Sequence, residues 1–373
     1  EEVNMIKAKA AVLHSPENIQ IEEITLTHCE AGEVIVNLKK AVLCPTDIKK
    51  YYALKPDVEN PLKEIGPYIL GHEAAGVVVE IGEGVDNVKV GDNVAIQPMI
   101  SCNTCAYCKK GKVNMCLNLI GIGGSAGDFS DCVRLYHEKG IGGCFATHLK
   151  APATCVMKLP EGLSMEAGSM LEPLADVVHS VDAAGVGPED DVVVIGLGPM
   201  GLLHIMVAKY NGAKTITGVD IDDSRIEVAQ KLGATYTVNS EKEDVVDVVL
   251  GHTDGIGASK IFVTSGGKAQ RPCTVQALQM VRKQGTVSLF ASADVRTDEL
   301  TISMNQIHYN MINFTGTVGF GNEHGEKALQ LLASDDFDTK LIRNLELPLS
   351  KIEEAISLYG KGVNLKVGLD LEA

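Results

Sequence analysis

The segment VVVIGLGPMG, residues 192–201, decides the fold of this chain. Its first four residues are β-branched and apolar, which is typical of a buried strand, and the pattern of residues 200–210 predicts a helix directly after it. The turn between them carries a GxGxxG fingerprint formed by Gly196, Gly198 and Gly201. The first glycine permits a tight turn, the second lets the backbone approach a pyrophosphate, and the third lets helix and strand pack closely. With Pro199 and Met200 completing the loop, these features predict a dinucleotide site rather than a glycine turn without a ligand.

The residue that follows the next predicted strand bears on the choice of dinucleotide. Asp220 comes directly after the apolar run 215–219, close to the ~20 residues beyond the last glycine expected for an acid that binds the ribose hydroxyls. A carboxylate there repels a 2′-phosphate, so the sequence favours NAD over NADP. Arg225 lies nearby, where it could contact the adenosine side, and it keeps NADP open as an alternative.

The pattern around this segment predicts two domains. From about residue 165, helical patterns at 200–210, 224–232 and 273–281 alternate with short apolar runs at 192–195, 215–219, 260–263 and 286–290. Such alternation predicts βαβ units and a doubly wound parallel sheet. The earlier part is β-rich, with strands expected at 8–14, 33–41, 74–81 and 93–96. The last part is mixed, with helices expected at 323–333 and 351–359 and a strand at 366–371. We expect residues 173–315 to form the nucleotide-binding domain, and residues 1–172 with 316–373 to form the other.

Composition restricts the function classes. The chain has 373 residues, of which 45% are hydrophobic, and its formal net charge is −16. Such a surface repels phosphate backbones and anionic lipid, so we expect neither nucleic acid nor membrane as partner. Residues 1–7 lack the apolar region of a signal peptide, and no apolar run reaches the ~18 residues that span a bilayer. We therefore expect a cytoplasmic protein. Of its ten cysteines, four lie within fifteen positions, and in that compartment such crowding favours metal binding over disulfides.

Four of the cysteines form a compact cluster with the spacing C-x2-C-x2-C-x7-C, at Cys102, Cys105, Cys108 and Cys116. Zinc prefers four tetrahedral ligands, and such short spacers let one loop wrap the ion. Because four thiolates leave no position for water or substrate, the cluster predicts a structural zinc site. Ferredoxins also use C-x2-C-x2-C, but their fourth cysteine follows a different spacing.

Candidates for a second, reactive metal site lie far apart in the sequence. A catalytic zinc needs three protein ligands and one open position. Suitable side chains are Cys44, just after a predicted strand; the pair His72 and Glu73, at the start of another; and Glu172, where the chain enters the second domain. A lone cysteine or histidine is more often a core or surface residue, so spacing alone leaves this site open.

These motifs together resemble the zinc-dependent medium-chain dehydrogenases, especially their sorbitol and polyol dehydrogenase branch. The resemblance covers nearly the whole chain and rests on Cys-x-Thr-Asp, Gly-His-Glu, Val-Gly-Asp, the cysteine cluster, Leu-Glu-Pro-Leu-Ala and the glycine fingerprint. It implies a GroES-like β-rich catalytic domain beside a Rossmann domain, two zinc ions per chain, and a homodimer or homotetramer. The activity it implies is hydride transfer between NAD and a secondary alcohol or ketone.

The resemblance also implies roles for individual residues. Cys44 and His72 would bind the catalytic zinc, with Glu73 or Glu172 as the third group, directly or through a bound water. Thr46 would relay the proton of a substrate hydroxyl whose pKa the zinc lowers. Segments whose backbone lies along the cofactor would include Thr264, Ser265, Phe290 and Ala291.

Some positions depart from the family pattern and leave the substrate open. Pro45 stands where glycine is usual, residues 317–321 lack the arginine common in sorbitol dehydrogenases, and residues 124–139 form an insertion. We expect the glycine-rich stretch 121–143 to be a long surface excursion. The best substrate prediction is a polyol, cyclitol or sugar-derived alcohol, with a threonine-type amino alcohol or a sugar phosphate as the alternative. A zinc-free quinone or enoyl reductase and a non-catalytic binding protein are further alternatives.

Two histidines outside the candidate sites are expected to have structural roles. His204 lies on the helix after the glycine fingerprint and is predicted to be core or interface. His179 follows Glu172 by two helical turns and is predicted to pack or to cap.

Overall fold

The computed structural model describes residues 5–52, 61–294, 298–362 and 364–372, which form two compact units. The first unit contains the described residues up to Pro173 and those from Gly321 onward, and the second contains Leu174–Phe320. The sequence-based boundaries, after residues 172 and 315, stay a prediction. Residues 1–4, part of the segment judged not to be a signal peptide, lie outside the described residues. Within the described ranges, no helix is both long and apolar enough to cross a membrane.

The elements are numbered in chain order. The strands are β1 Ile6–Ser15, β2 Asn18–Leu26, β3 Glu33–Val42, β4 Tyr68–Ile69, β5 Glu73–Ile81, β6 Asn93–Ile96, β7 Met99–Ile100, β8 Ile120–Gly121, β9 His148–Pro152, β10 Val156–Lys158, β11 Asp191–Ile195, β12 Thr215–Asp220, β13 Tyr236–Asn239, β14 Ala258–Val263, β15 Val281–Leu289, β16 Asn313–Gly316, β17 Arg343–Pro348 and β18 Lys366–Asp370. The helices are α1 Pro45–Tyr51, α2 Pro61–Glu64, α3 Phe129–Lys139, α4 Met165–Gly168, α5 Leu171–Ala184, α6 Pro199–Tyr210, α7 Asp223–Leu232, α8 Val245–His252, α9 Gln270–Met280, α10 Met304–Asn310, α11 Asn322–Leu332 and α12 Ile352–Gly360.

The second unit is built on a parallel sheet with the strand order β13-β12-β11-β14-β15-β16. Numbered within the unit this order is 3-2-1-4-5-6, the doubly wound arrangement that binds dinucleotides where the strand order reverses. Strand β11 lies at the reversal, because it pairs with β12 on one side and β14 on the other. The predicted Rossmann-type parallel sheet is confirmed.

The core of the first unit is a mixed sheet with β3 at its centre. Strand β3 pairs antiparallel with β5, β9 and β18, and the sheet continues to β6 and β10 on one side and β17 on the other. Apolar residues of these strands pack into one large buried cluster. In the ladders beside β3, Val42 lies opposite both Glu73 and Gly368, so the end of β3, the start of β5 and part of β18 meet at one place.

The prediction that residues 121–143 form a long surface excursion is wrong. It contains helix α3, which Asp128 caps at its N-terminus and Gly140 ends in a left-handed conformation. One face of α3 is buried, and Tyr68 packs edge-on against Phe129 and Tyr136 at centroid distances of 5.5 and 5.8 Å. The helix is short, so its apolar stripe spans too few turns to stand out as a period in the sequence.

His204 lies in the core of the second unit, as predicted. It is fully buried on α6, with its ring near Phe262 and Phe290 at centroid distances of 4.8 and 4.7 Å. Its Nδ1 atom donates to the Met200 carbonyl at 2.8 Å, and its Nε2 atom accepts from the Ser180 hydroxyl at 3.0 Å. Burial lowers the pKa of His204 from 6.5 to about 4, so the ring is neutral at neutral pH.

This neutral histidine makes the stability depend on pH. Because the pKa of His204 is lower in the folded state than in the unfolded state, the unfolded chain takes up the proton first, and stability falls as the pH drops from 6.5 towards 4. We expect His204 to contribute a loss of about 2 kcal/mol in unfolding free energy between pH 7 and pH 5. His204→Gln should remove this part of the pH dependence in urea titrations, and His308→Gln, at an exposed position, should retain it. Equal pH dependence in the wild type and His204→Gln would contradict the prediction.

Candidate active site

Three candidate metal ligands from two separate parts of the chain meet in the first unit. The ligand atoms of Cys44, His72 and Glu73 all lie within 4.8 Å of one another. Cys44 follows β3 and forms the N-cap of α1, whereas His72 directly precedes β5. Since β3 and β5 are paired, with Val42 opposite Glu73, the ladder itself brings these side chains together.

Asp47 fixes the backbone on both sides of this set. It is completely buried on α1, where its carboxylate accepts from the backbone N–H of Cys44 at 2.9 Å and from that of Gly71 at 3.3 Å. Its Oδ1 atom also lies 3.4 Å from Nδ1 of His72. A carboxylate facing one ring nitrogen of a histidine orients the ring and leaves the other nitrogen for a metal.

The set also holds a buried cation that the sequence interpretation missed. Lys366 on β18 is fully buried, forms an ion pair with Glu73, and donates to the Leu43 carbonyl at 3.3 Å. Burial raises the pKa of the Cys44 thiol and of the Glu73 carboxyl, and Lys366 opposes both shifts. Lys366 is the first residue of β18, a position where a lysine is usually exposed, so no local pattern in the sequence marks it.

This donor set fits a divalent metal ion. A thiolate, an imidazole and a carboxylate are all zinc ligands, and three protein ligands leave one coordination position for a further oxygen. Because burial penalises the ionised thiol and carboxyl, a cation among them favours their ligating forms. The arrangement can therefore hold a metal ion that polarises a bound hydroxyl or carbonyl group.

The remaining two predicted residues of this site lie at helix starts. Glu172 is the second residue of α5 and does not belong to the close set, although its charge acts on Glu73. Burial raises the pKa of the Glu172 carboxyl, while His72 and Lys366 lower it. Thr46 is half-buried as the second residue of α1, two positions beyond Cys44.

The four-cysteine cluster forms a second donor set. The sulfur atoms of Cys102, Cys105, Cys108 and Cys116 lie within 4.8 Å of one another, with 3.5 Å between those of Cys105 and Cys108. The backbone N–H groups of Cys102 and Asn118 donate to the sulfur of Cys116 at 3.2 and 3.4 Å. Several hydrogen bonds, the strongest from the Thr104 hydroxyl and others from backbone N–H groups, together lower the pKa of Cys102 to about 5, which favours the thiolate. Four converging sulfur atoms fit a closed tetrahedral zinc site.

The glycine loop of the second unit has an open helix end. Gly196 has a φ of +102°, which only glycine adopts readily, and a Cβ at Gly201 would overlap the carbonyl oxygen of Gly196. A Cβ at Gly198 would instead meet nothing within 4 Å. The backbone at the N-terminus of α6 is therefore accessible, and this cradle fits the pyrophosphate of a dinucleotide.

Asp220 is tied to the glycine loop. Its carboxylate accepts from the backbone N–H groups of Leu197, Ile221 and Asp222 at 2.6, 2.8 and 3.0 Å. The guanidinium of Arg225 lies 3.9 Å from the same carboxylate. A carboxylate offers about four acceptor positions. Most of the capacity of Asp220 is thus used by backbone, with room left for a hydroxyl.

The other residues predicted to line a cofactor follow β14 and β15. The hydroxyl of Thr264 donates to the Gly196 carbonyl at 2.5 Å, and that of Ser265 donates to the Ile195 carbonyl at 3.2 Å, so both support the glycine loop. After β15, the N–H of Phe290 donates to the Val263 carbonyl at 3.1 Å, and the side chain of Gln270 donates to the carbonyl of Ala291.

Comparison with known proteins places the chain in a family. The alcohol dehydrogenase GroES-like domain matches residues 30–161, and the zinc-binding dehydrogenase domain matches residues 199–334. The chain is 30% identical to the sorbitol dehydrogenase of Bombyx mori over 97% of its own length and 98% of the relative. It is 32% identical to the D-arabitol-phosphate dehydrogenase of Enterococcus avium over 93% of its own length and 92% of the relative.

The fold leads to the same family. The solved structure of alcohol dehydrogenase TADH from Thermus sp. ATN1 matches with a TM-score of 0.84 and 28% identity, covering 97% of this chain and 99% of that one. The predicted GroES-like and Rossmann fold class is confirmed. The chain therefore belongs to the zinc-dependent medium-chain dehydrogenase family, in its polyol dehydrogenase-like branch, and is an oxidoreductase that uses a nicotinamide cofactor and acts on CH–OH groups.

Proposed function

We propose that this protein is an NAD-dependent dehydrogenase of a secondary alcohol in a polyol, cyclitol or sugar-derived substrate, with two zinc ions per chain. The observation that carries the proposal is the close set of Cys44, His72 and Glu73, which offers three ligands and leaves a position for the substrate oxygen. The four-cysteine cluster holds the second zinc ion, whose role is structural.

Each residue of the proposed catalytic site has a separate role. Zinc held there supplies Lewis acidity, which lowers the pKa of a substrate hydroxyl. Cys44 and His72 hold the ion, and Glu73 or Glu172 completes the protein ligands. Asp47 orients His72 and Lys366 balances the charge of Glu73. Thr46 receives the hydroxyl proton and passes it outward.

The proposed cofactor contacts follow the sheet edge of the second unit. Gly196, Gly198, Pro199, Met200 and Gly201 take the pyrophosphate at the start of α6. Asp220 accepts a hydrogen bond from the ribose, and Arg225 lies on the adenosine side. The backbone of Thr264, Ser265, Phe290 and Ala291 lies along the rest of the cofactor.

The substrate class rests on the relatives. Sorbitol dehydrogenase and D-arabitol-phosphate dehydrogenase are named for polyol substrates, and this favours a secondary hydroxyl flanked by further hydroxyls. L-threonine 3-dehydrogenase of Bacillus subtilis, 29% identical over 92% of both chains, keeps an amino alcohol as the second candidate. A panel of free polyols, phosphorylated polyols, cyclitols and L-threonine, assayed with excess NAD, decides between them. The homodimer or homotetramer and the cytoplasmic location stay predictions.

Removing the catalytic thiolate should separate chemistry from folding. We expect Cys44→Ser to lower kcat by at least about 100-fold, because the metal loses a ligand. The purified variant should contain about one zinc per chain instead of two, and its NAD affinity and melting temperature should stay close to those of the wild type. Cys29→Ser, outside both donor sets, is the control. Full activity in Cys44→Ser would show that the site is assigned wrongly, and a zinc-free wild type would favour the reductase alternative.

A change in the four-cysteine cluster should affect stability more than activity. We expect Cys105→Ser to lower the melting temperature and the zinc content, because the loop that the ion closes loses its binding free energy. The protein that remains folded at low temperature should keep most of its activity per catalytic zinc. Unchanged stability with two bound zinc ions would contradict the assignment.

Cofactor choice can be tested at Asp220. We expect Asp220→Ser to reduce kcat/KM for NAD by about 10- to 100-fold, the effect of one lost hydrogen bond to a charged group. The efficiency with NADP should fall less or rise, because Arg225 then faces the 2′-phosphate without a competing carboxylate. Asp223→Asn, an exposed change three residues further on, is the control. A wild type that prefers NADP would contradict the cofactor assignment.

A further inference from the structure

A small pocket lies at the carboxyl end of the last two strands of the second unit. Its volume is about 90 Å³, and it is lined by Asp176, Phe290, Thr317, Val318 and Gly319. Phe290 directly follows β15 and Thr317 directly follows β16. A cavity needs roughly 10–15 Å³ to hold one water molecule, so this pocket has room for about one aromatic ring.

The topology of the sheet indicates which part of a dinucleotide would reach this pocket. The glycine loop follows β11 and Asp220 ends β12, so the pyrophosphate and the adenosine ribose belong to that half of the sheet. A dinucleotide that crosses the reversal at β11 extends over the ends of β14, β15 and β16. The pocket beyond β15 and β16 is thus in the position for the nicotinamide ring.

Among the lining residues that the structure describes, Asp176 is the charged one. The other lining residues are uncharged, and Phe290 is aromatic. The helix that carries Asp176 is firmly mounted, because its neighbours Ala175 and Val177 are completely buried. One turn further on, Nδ1 of His179 donates to the Gly319 carbonyl at 2.6 Å, which ties the wall of the pocket to α5. The backbone that carries Asp176 is therefore held beside the pocket.

We infer that Asp176 makes the enzyme prefer the oxidised over the reduced form of its nicotinamide cofactor, an inference that rests on the proposed function. In the oxidation, the substrate C–H bond breaks and the hydride, with both electrons, forms a new C–H bond at the nicotinamide C4, while the hydroxyl proton leaves to solvent. The positive charge of the pyridinium ring is lost in that step. A carboxylate beside the ring attracts the cationic form and has no such attraction for the neutral one.

A second polar group lines the same pocket. The hydroxyl oxygen of Thr317 is buried and has no hydrogen-bond partner among the residues that the structure describes. Buried polar groups are normally hydrogen-bonded, so this oxygen is suited to a polar group of a bound ligand. It would act on both redox forms alike, because the carboxamide of nicotinamide is unchanged by hydride transfer. Asp176 alone should distinguish them.

The test compares the dissociation constants of NAD⁺ and NADH, measured by calorimetry with the zinc-loaded protein. We expect Asp176→Asn to weaken NAD⁺ binding about tenfold, or about 1.4 kcal/mol, and to change NADH binding less than twofold. Asp176→Glu, which keeps the charge, should retain most of the preference. Asp182→Asn, an exposed change on the same helix, should leave both constants unchanged.

The outcomes separate the inference from the function on which it rests. If Asp176→Asn weakens the binding of NAD⁺ and NADH equally, or changes neither dissociation constant, the inference is overturned. A purely structural role or a remote position of Asp176 gives no preference between the two redox forms. If Asp176→Asn does not fold, the ratio of the NAD⁺ and NADH dissociation constants is compared between Asp176→Glu, which keeps the charge, and Asp176→Ser, which removes it. A wild type that binds neither NAD⁺ and NADH nor NADP⁺ and NADPH would instead refute the proposed function, and this inference with it. If only the phosphorylated pair binds, the same ratio is measured with that pair.

Discussion

The antiparallel pairing of β3 with β5 is the constraint on which the candidate catalytic site depends. Cys44 follows one strand and His72 precedes the other, so their meeting requires the register that sets Val42 opposite Glu73. Strand β18, on the other side of β3, brings in Lys366. A shift of one residue in either ladder would turn these side chains to the opposite face of the sheet. The large buried cluster that these strands share holds the register, and thereby the site.

Charge explains why such a polar group of residues can lie in that core. Isolated buried charges are costly, and even a buried ion pair contributes little net stability. When ionised, Cys44, Asp47 and Glu73 carry three negative charges, against the one positive charge of Lys366. A divalent cation brings this sum to zero if His72 is neutral. The arrangement is therefore better explained as a metal site than as a device for stability, and Glu172 adds to the demand for positive charge.

What the sequence could predict follows from how local each signal is. The strand, glycine turn and helix at residues 192–210 are specified by adjacent residues, and the four-cysteine cluster is specified by short spacers. Lys366 acts on the site through contacts between distant segments, which no local pattern contains. Asp47 belongs to the local Cys-x-Thr-Asp motif, but its contacts with Gly71 and His72 depend on the fold. Helix α3 was missed because its stripe is short, although its N-cap Asp128 and terminal Gly140 were visible signals. Asp176 gave no signal, since an acid within a helix is usually solvated.

In the second unit, the residues predicted to bind the cofactor also stabilise the glycine loop. Asp220 holds the N–H of Leu197, and Thr264 holds the carbonyl of Gly196, so the glycine turn is kept in place from both sides. A carboxylate that already accepts three backbone N–H groups is oriented before any ligand arrives, and this preorganisation reduces the entropy lost on binding. It also means that a change at Asp220 acts on loop geometry as well as on charge. A change in the ratio of NAD to NADP use therefore reports the charge, whereas a common loss in both reports the loop.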